Sequence, residues 1–467
     1  MRRRTWVITT LILAALTACS LPADQSSAAD MSAAEPVADI ATLGYEPVFT
    51  YDYSEQRPAI ITDRIGYTPT GKKVIYIEGT DPARDYKIID NATEEVVYEG
   101  KLHRITEADE KNTATPEKSI YIGDFTELTG EGTYRAFQED VGYSYEFSIG
   151  RDNYHALYNE AYKTITEAEY IQTSALIYTL SNLMLTHEIY ANAPTEDSFI
   201  RGGIEELLSQ QHPRTGAVYQ DLQNTETLSL IEEELSHPST ATIQTDSMIS
   251  LSSTAELAGV LAQYYVNYFE TDQALAVQSL RAAGKAYNYI DRFREGVKSD
   301  SYYFAASELY RATGQYRYRK AIADYDLIPE QSRTVSDYDY TMLADVAYLS
   351  SEYKTDYVRC EELMSRYRDR ASAISGSSSK QTFYVQADIE RISEDELLYN
   401  MMTLGLVSYI LSGREYASIQ SNYLHYMFGI NKDMINYYTE PYTEGGQPLG
   451  KDIIRLSKLI FILGNGE

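Results

Sequence analysis

The chain has 467 residues, 43% of them hydrophobic, which excludes wholesale disorder and leaves room for two or three domains. Its 40 basic residues face 69 acidic ones, and a net charge of −29 argues against nucleic acid and against direct binding to anionic lipid headgroups. Two cysteines, Cys19 and Cys360, and six scattered histidines supply neither a disulfide framework nor a metal site, and no motif calls for a cofactor.

The N-terminus reads as a leader. Arg2, Arg3 and Arg4 precede an apolar run from Trp6 to Leu16 that is too short to span a bilayer as a helix. The run ends in Leu16-Thr17-Ala18-Cys19, small residues before a cysteine, which is the pattern of a bacterial lipobox. The expectation is a signal peptide over residues 1–18 and acylation of Cys19 as the new N-terminus. The protein would then be held in the bacterial cell envelope, outside the cytoplasm, touching the membrane only through lipid. Losing the three arginines takes the charge to about −32. Residues 19–46, rich in Ala, Ser and Asp, read as a flexible tether. Cys360 is then expected to be a buried small hydrophobe.

Residues 47–150 carry short β-branched and aromatic runs at 74–77, 86–89, 96–98, 119–122, 132–137 and 143–149, punctuated by Gly, Pro, Asp and Asn. Six or seven strands in about 100 residues suit an immunoglobulin-like β-sandwich. From residue 151 to 467 the texture becomes helical, with patterns at 156–169, 173–190, 199–211, 253–269, 272–293, 301–312, 338–351, 357–373, 394–412, 416–428 and 453–463. Within 394–412, Leu397, Leu398, Met401, Met402, Leu404 and Val407 recur at helical spacing. Periodicity leaves a toroid of hairpins, a solenoid and a bundle open.

Several segments carry a family resemblance. Arg64-Ile65-Gly66-Tyr67-Thr68-Pro69, then Lys72-Lys73, resembles the opening of the immunoglobulin-like domain that precedes many bacterial cellulases, and Asp124-Phe125 and Gly132-Thr133-Tyr134 resemble its later strands. Residues 203–208 leading to Gly216-Ala217-Val218-Tyr219, with residues 239–242, 305–314 and 424–431, resemble family 9 glycoside hydrolases. The resemblance implies an immunoglobulin-like β-sandwich followed by an (α/α)6 barrel with a glucan cleft at one end. It also implies an inverting hydrolysis, with one carboxylate as base on water and one carboxylic acid on the leaving oxygen.

The chemistry of that family is not intact here. Its Asp-Ala-Gly-Asp-Tyr motif aligns with Thr166-Glu167-Ala168-Glu169-Tyr170, so the first aspartate reads threonine and the second glutamate. Its acid aligns with Gly450, and the family's histidine pair and Gly-Gly-Trp are absent. Glu169 is the remaining base candidate and Glu444 the remaining acid candidate, with Asp452 beside it. Glu167 and Glu169 are expected two apart on a helix, facing different sides. Tyr219, Tyr437 and Tyr442 are candidate glycan contacts, because aromatic faces stack on sugar rings. Most of the 44 tyrosines, such as Tyr264, Tyr265 and Tyr268, are expected to pack helices, and Arg317, Arg319 and Lys320 to form a solvated face. Three functions follow. The first is a surface-anchored, catalytically impaired scaffold holding a β-glucan-type polysaccharide, oligosaccharide or partner. The second is an active endo-β-1,4-glucanase, and the third an envelope protein-interaction scaffold.

Overall fold

The computed structural model describes residues 57–79, 82–105, 119–190, 197–223, 228, 249–327, 339–379, 381–385, 393–411, 415–442 and 445–464. The leader, Cys19, the whole tether and Glu444 lie outside the described residues.

Two four-stranded antiparallel sheets come first, with orders β1-β2-β6-β5 and β4-β3-β7-β8. The strands are β1 Ile60–Ile61, β2 Val74–Gly79, β3 Asp85–Asp90, β4 Val96–Lys101, β5 His103–Arg104, β6 Ser119–Asp124, β7 Gly132–Gln138 and β8 Gly142–Ile149. The six expected strands appear, each within one to three residues of its expected ends. β1 and β5, two residues each, are too short to leave a periodic signal. Strand β7 buries Tyr134, Ala136 and Gln138 in alternation, as a half-buried strand should. Strand β2 breaks that rule: Val74, Ile75, Tyr76 and Ile77 are all buried. Its second face is covered by the helical part, where Phe383 meets the Tyr76 ring edge-on with centroids 5.0 Å apart.

Twelve α-helices follow among the described residues: α1 Asn153–Glu167, α2 Thr173–Ile189, α3 Asp197–Ser209, α4 Leu251–Tyr268, α5 Gln273–Ile290, α6 Ser299–Thr313, α7 Tyr316–Ala323, α8 Thr341–Leu349, α9 Tyr357–Ser378, α10 Glu394–Leu411, α11 Ala417–Met427 and α12 Ile453–Leu463. Even-numbered helices are buried on most of their circumference, polar residues such as Ser307 and Glu308 of α6 included. They pack side by side, α2 on α4, α4 on α6, α6 on α8, α10 on α12 and α12 back on α2. Odd-numbered helices bury one stripe. In α9 this is Cys360, Leu363, Tyr367, Ala371, Ile374 and Ser378, spaced three or four apart, so Cys360 is buried as the small hydrophobe expected. Alternating inner and outer helices make an (α/α)6 barrel. No described helix is long and apolar enough to cross a membrane.

The tyrosines are mostly packing residues: the largest fully buried side chains are all tyrosines, and Tyr264 stacks on Tyr268 at 4.7 Å. The basic run 317–320 lies in α7, where Arg317 and Lys320 are exposed as expected of a solvated face, with the Arg317 guanidinium lying over the rings of Tyr287 and Tyr318.

The two motifs that opened and closed the resemblance meet in space. The Arg64 N–H donates to the Phe428 carbonyl at 2.8 Å, and the Arg64 guanidinium pairs with Glu440 at 2.8 Å. Gly429 stands between them at φ +126°, where a Cβ would lie 3.0 Å from the Thr62 carbonyl and 2.9 Å from Arg64 Cγ. Only glycine tolerates both that conformation and that approach.

Candidate functional site

The inner helices begin at one end of the barrel, and their first turns carry a dense set of polar side chains. Ser250 caps α4, its hydroxyl accepting from the Ser253 N–H, while the hydroxyls of Ser174 in α2 and Ser253 lie 2.9 Å apart. Ser174 also donates to Glu256 Oε2 at 2.5 Å, and Ser301 in α6 donates to Glu256 Oε1 at 2.9 Å. Burial pushes the Glu256 carboxyl up, and these two hydroxyls hold it down. At the start of α8, Asp339 Oδ1 accepts the Thr341 N–H at 2.9 Å. Asp300, in the first turn of α6, is also pushed up by burial and by nearby Asp339.

The other half of this face is ionic. Helix α10 opens with Glu394, Asp395 and Glu396, acids that suit the positive end of a helix dipole. From α12, Arg455 reaches Glu394 at 2.8 Å and Asp395 at 3.0 Å, and buried Lys458 reaches Asp395 at 3.0 Å. Burial drives the Glu394 carboxyl up to about 7, against the pull of Arg455. Among the described residues its Oε1 has no hydrogen-bond partner, although the residue is only 9% exposed. Behind this face the barrel axis is packed. The space between Tyr178, Asp339, Met402 and Lys458 is about 10 Å³, room for one water.

The residues singled out in the sequence fall differently. Helix α1 ends at Glu167, and Ala168 turns to extended backbone with ψ 147°. Glu169 therefore stands off the helix, exposed, which corrects the expectation that both glutamates share one helix. The chain leaves the helix here because the Tyr170 hydroxyl folds back on the Ile165 carbonyl at 3.0 Å. Thr166 donates to the Lys163 carbonyl at 3.1 Å, and exposed Glu167 pairs with Lys163 at 3.9 Å. Tyr219 lies in strand β9 (Val218–Tyr219), which pairs with β10 (Ile249–Ser250), and is 2% exposed. Its carbonyl accepts the Thr173 hydroxyl at 2.8 Å, tying this hairpin to the start of α2. A ring so buried offers little face to a sugar. Tyr437 is buried, and Tyr442, half-buried, meets it edge-on with centroids 4.7 Å apart. Of the three tyrosines only Tyr442 keeps substantial access to solvent.

Gly450 sits in a 3-10 turn and donates its N–H to the Tyr438 carbonyl at 2.9 Å. A Cβ there would lie 2.8 Å from that same oxygen and 3.1 Å from the Tyr438 ring, so any side chain would force the turn to shift. Asp452 is occupied as the N-cap of α12, accepting from Ile454 and Arg455 at 3.1 and 3.2 Å. No group of three or more His, Cys, Asp or Glu is placed to hold a metal among the described residues.

The sequence reading missed the buried acids. Glu256 stands alone in an apolar helix, a position where a carboxylate needs partners. Three consecutive acids opening α10 are a readable signal of a helix start, but not of their partners 60 residues on.

The profile of the cellulase N-terminal ig-like domain matches residues 55–142, and that of glycosyl hydrolase family 9 matches residues 173–444. The fold is similar to that of a metagenome-derived glycoside hydrolase family 9 endoglucanase, at 18% identity and a TM-score of 0.67, covering 87% of this chain and 98% of the other. It is similar to a Bacteroides ovatus GH9 protein at 15% identity and a TM-score of 0.65, covering 87% and 98%. It is also similar to AaCel9A solved in complex with cellobiose-like isofagomine, at 16% identity and a TM-score of 0.66, covering 87% and 99%. No curated protein matches the chain.

Proposed function

The chain belongs to glycosyl hydrolase family 9, and we propose that it works as a lipid-anchored scaffold that holds a β-glucan-type glycan while cleaving it feebly or not at all. One observation carries this reading. The turn aligned with the family's acid is occupied by Gly450, and the Tyr438 carbonyl fills the space a side chain would need. A missing general acid lowers turnover by about 10²–10⁴-fold. The aligned base position adds to the loss, since Glu169 stands exposed off its helix and a carboxylate out of place gives little positioned catalysis. The ligand class is carried over from the cellobiose-like compound of the AaCel9A complex, and half-buried Tyr442 is the aromatic contact offered to it.

The test pairs titration of cello-oligosaccharides against the soluble part with a reducing-sugar assay on carboxymethylcellulose. Binding without sugar release is expected; release at ordinary enzyme rates refutes the reading. Anchoring is tested separately: Cys19→Ala should leave the protein uncleaved or free of the membrane fraction. An unmodified N-terminus after Ala18 in the native protein would refute the lipid anchor.

A second reading, an active endo-β-1,4-glucanase, is favoured by Glu394. Its carboxyl is held near neutrality at the start of an inner helix, where it can carry a proton at pH 6. If the wild type cleaves and Glu394→Gln does not, the second reading replaces the first.

A further inference from the structure

A cavity of about 480 Å³ lies between the β-sandwich and the barrel, at the end of α12 opposite its Asp452 cap. Thr68, Thr70 and Lys72 line it from the sandwich, and Ser421, His425 and Leu463 from the barrel. Ser421 lies one helical turn before His425 in α11. Helical Ser and Thr commonly turn their hydroxyls back to the carbonyl four residues earlier, as Thr186 and Thr403 do here at 2.8 Å. Ser421 instead sets its Oγ 3.2 Å from His425 Nε2.

The other ring nitrogen, Nδ1, lies 2.6 Å from Asp63 Oδ2, with the Tyr154 hydroxyl 3.3 Å from the same nitrogen. Asp63 is fully buried, and its Oδ1 accepts the N–H groups of Ile65 and Gly66 at 2.7 and 2.9 Å. Those two donors and the imidazole hold the carboxylate from both sides. A proton on Nδ1, facing the carboxylate, leaves the Nε2 lone pair facing the serine hydroxyl. Nucleophile, base and orienting acid thus stand in hydrogen-bond contact on a cavity wall, which is how the role set of nucleophilic hydrolysis is recognised. None of the three belongs to the face where the inner helices begin.

We propose that Ser421, His425 and Asp63 form a second, nucleophilic site that opens on this cavity and hydrolyses a short-chain ester of a hydroxylated alcohol. His425 Nε2 takes the hydroxyl proton as Ser421 Oγ bonds to the ester carbonyl carbon. The ester C–O bond then breaks, and the alcohol leaves with the proton from Nε2. A water, giving one proton to Nε2, adds to the acyl-serine; the acid departs and the serine regains its proton. Asp63 positions the ring and balances its charge. The hydroxyls of Thr68 and Thr70 on the cavity wall match a hydroxylated alcohol.

The full chain is treated with a fluorophosphonate probe and its peptides are mapped. An adduct on Ser421 is expected, forming about 10²-fold or more slower in His425→Gln. His425→Gln also removes a contact between the domains. Ser421→Ala, with its thermal unfolding unchanged, should therefore abolish p-nitrophenyl acetate hydrolysis as an independent reading. A wild type with no adduct on Ser421, or equal labelling rates in wild type and His425→Gln, overturns the proposal.

Discussion

Near the C-terminal end of inner helix α6, two carboxylates share one guanidinium. Arg311 hydrogen-bonds Glu188 and lies 3.7 Å from Glu308, which is 1% exposed. With one cation for two acids, the more deeply buried acid keeps its proton. Burial, and repulsion from Glu188, drive the Glu308 carboxyl up to about 8, against Arg311. A carboxyl raised from 4.5 to about 8 stabilises the fold fully below pH 4.5, where both folded and unfolded states hold the proton. Between pH 4.5 and 8 the unfolded chain gives up the proton and the folded one does not, so stability falls by about 1.4 kcal/mol per pH unit. Over that window the loss is about 5 kcal/mol, of which about 3 has accrued at pH 7. Glutamine copies the protonated acid in shape, cannot ionise, and leaves Arg311 paired with Glu188. Glu308→Gln is therefore expected to unfold like the wild type near pH 4.5. At pH 7 it should be more stable by about 3 kcal/mol. Urea unfolding of both proteins at pH 5, 6, 7 and 8 reads this directly. A difference that stays constant over that range would refute the reasoning.

Gly450→Ala should cost about 1–3 kcal/mol in urea unfolding, since its methyl meets the Tyr438 carbonyl, and an unchanged midpoint would show that the turn has room. Asp63→Ala strips a fully buried carboxyl from His425 and two N–H groups and should cost about 3–5 kcal/mol, read as a fall in melting temperature; a loss below about 1 kcal/mol would contradict a buried group whose hydrogen bonds hold the site. Glu169→Gln, at an exposed site beyond the end of α1, should change stability by less than about 0.5 kcal/mol and leave glycan binding intact. A tenfold loss of glycan affinity in that variant would return Glu169 to the site.

The architecture was legible because its signals are local. Six strands and most of the helices were readable from period and punctuation, and α12 falls at 453–463 as expected. The all-buried run in β2 and the largely buried inner helices follow from second faces covered by distant elements, which periodicity does not register. The site was less legible, for two physical reasons. The change to extended backbone at Ala168, where the Tyr170 hydroxyl reaches back to the Ile165 carbonyl, ends the helix before Glu169, so counting along the helix kept Glu169 on an element it does not belong to. The ionic network of Glu394, Asp395, Arg455 and Lys458 joins α10 to α12 across 60 residues, a pairing that no spacing rule encodes. The motifs that carried the resemblance most clearly, around Arg64 and Gly429, clamp the two domains together.

The central claim is that a family 9 scaffold has kept its fold and lost its acid. It is tested most directly by a reducing-sugar assay of the purified wild type on carboxymethylcellulose, run beside Gly450→Ala and Glu394→Gln prepared in parallel to expose any carried-over glucanase. The account predicts no release above the level common to all three preparations, while cello-oligosaccharides still bind the wild type. Cleavage by the wild type at ordinary enzyme rates, lost in Glu394→Gln, would contradict it.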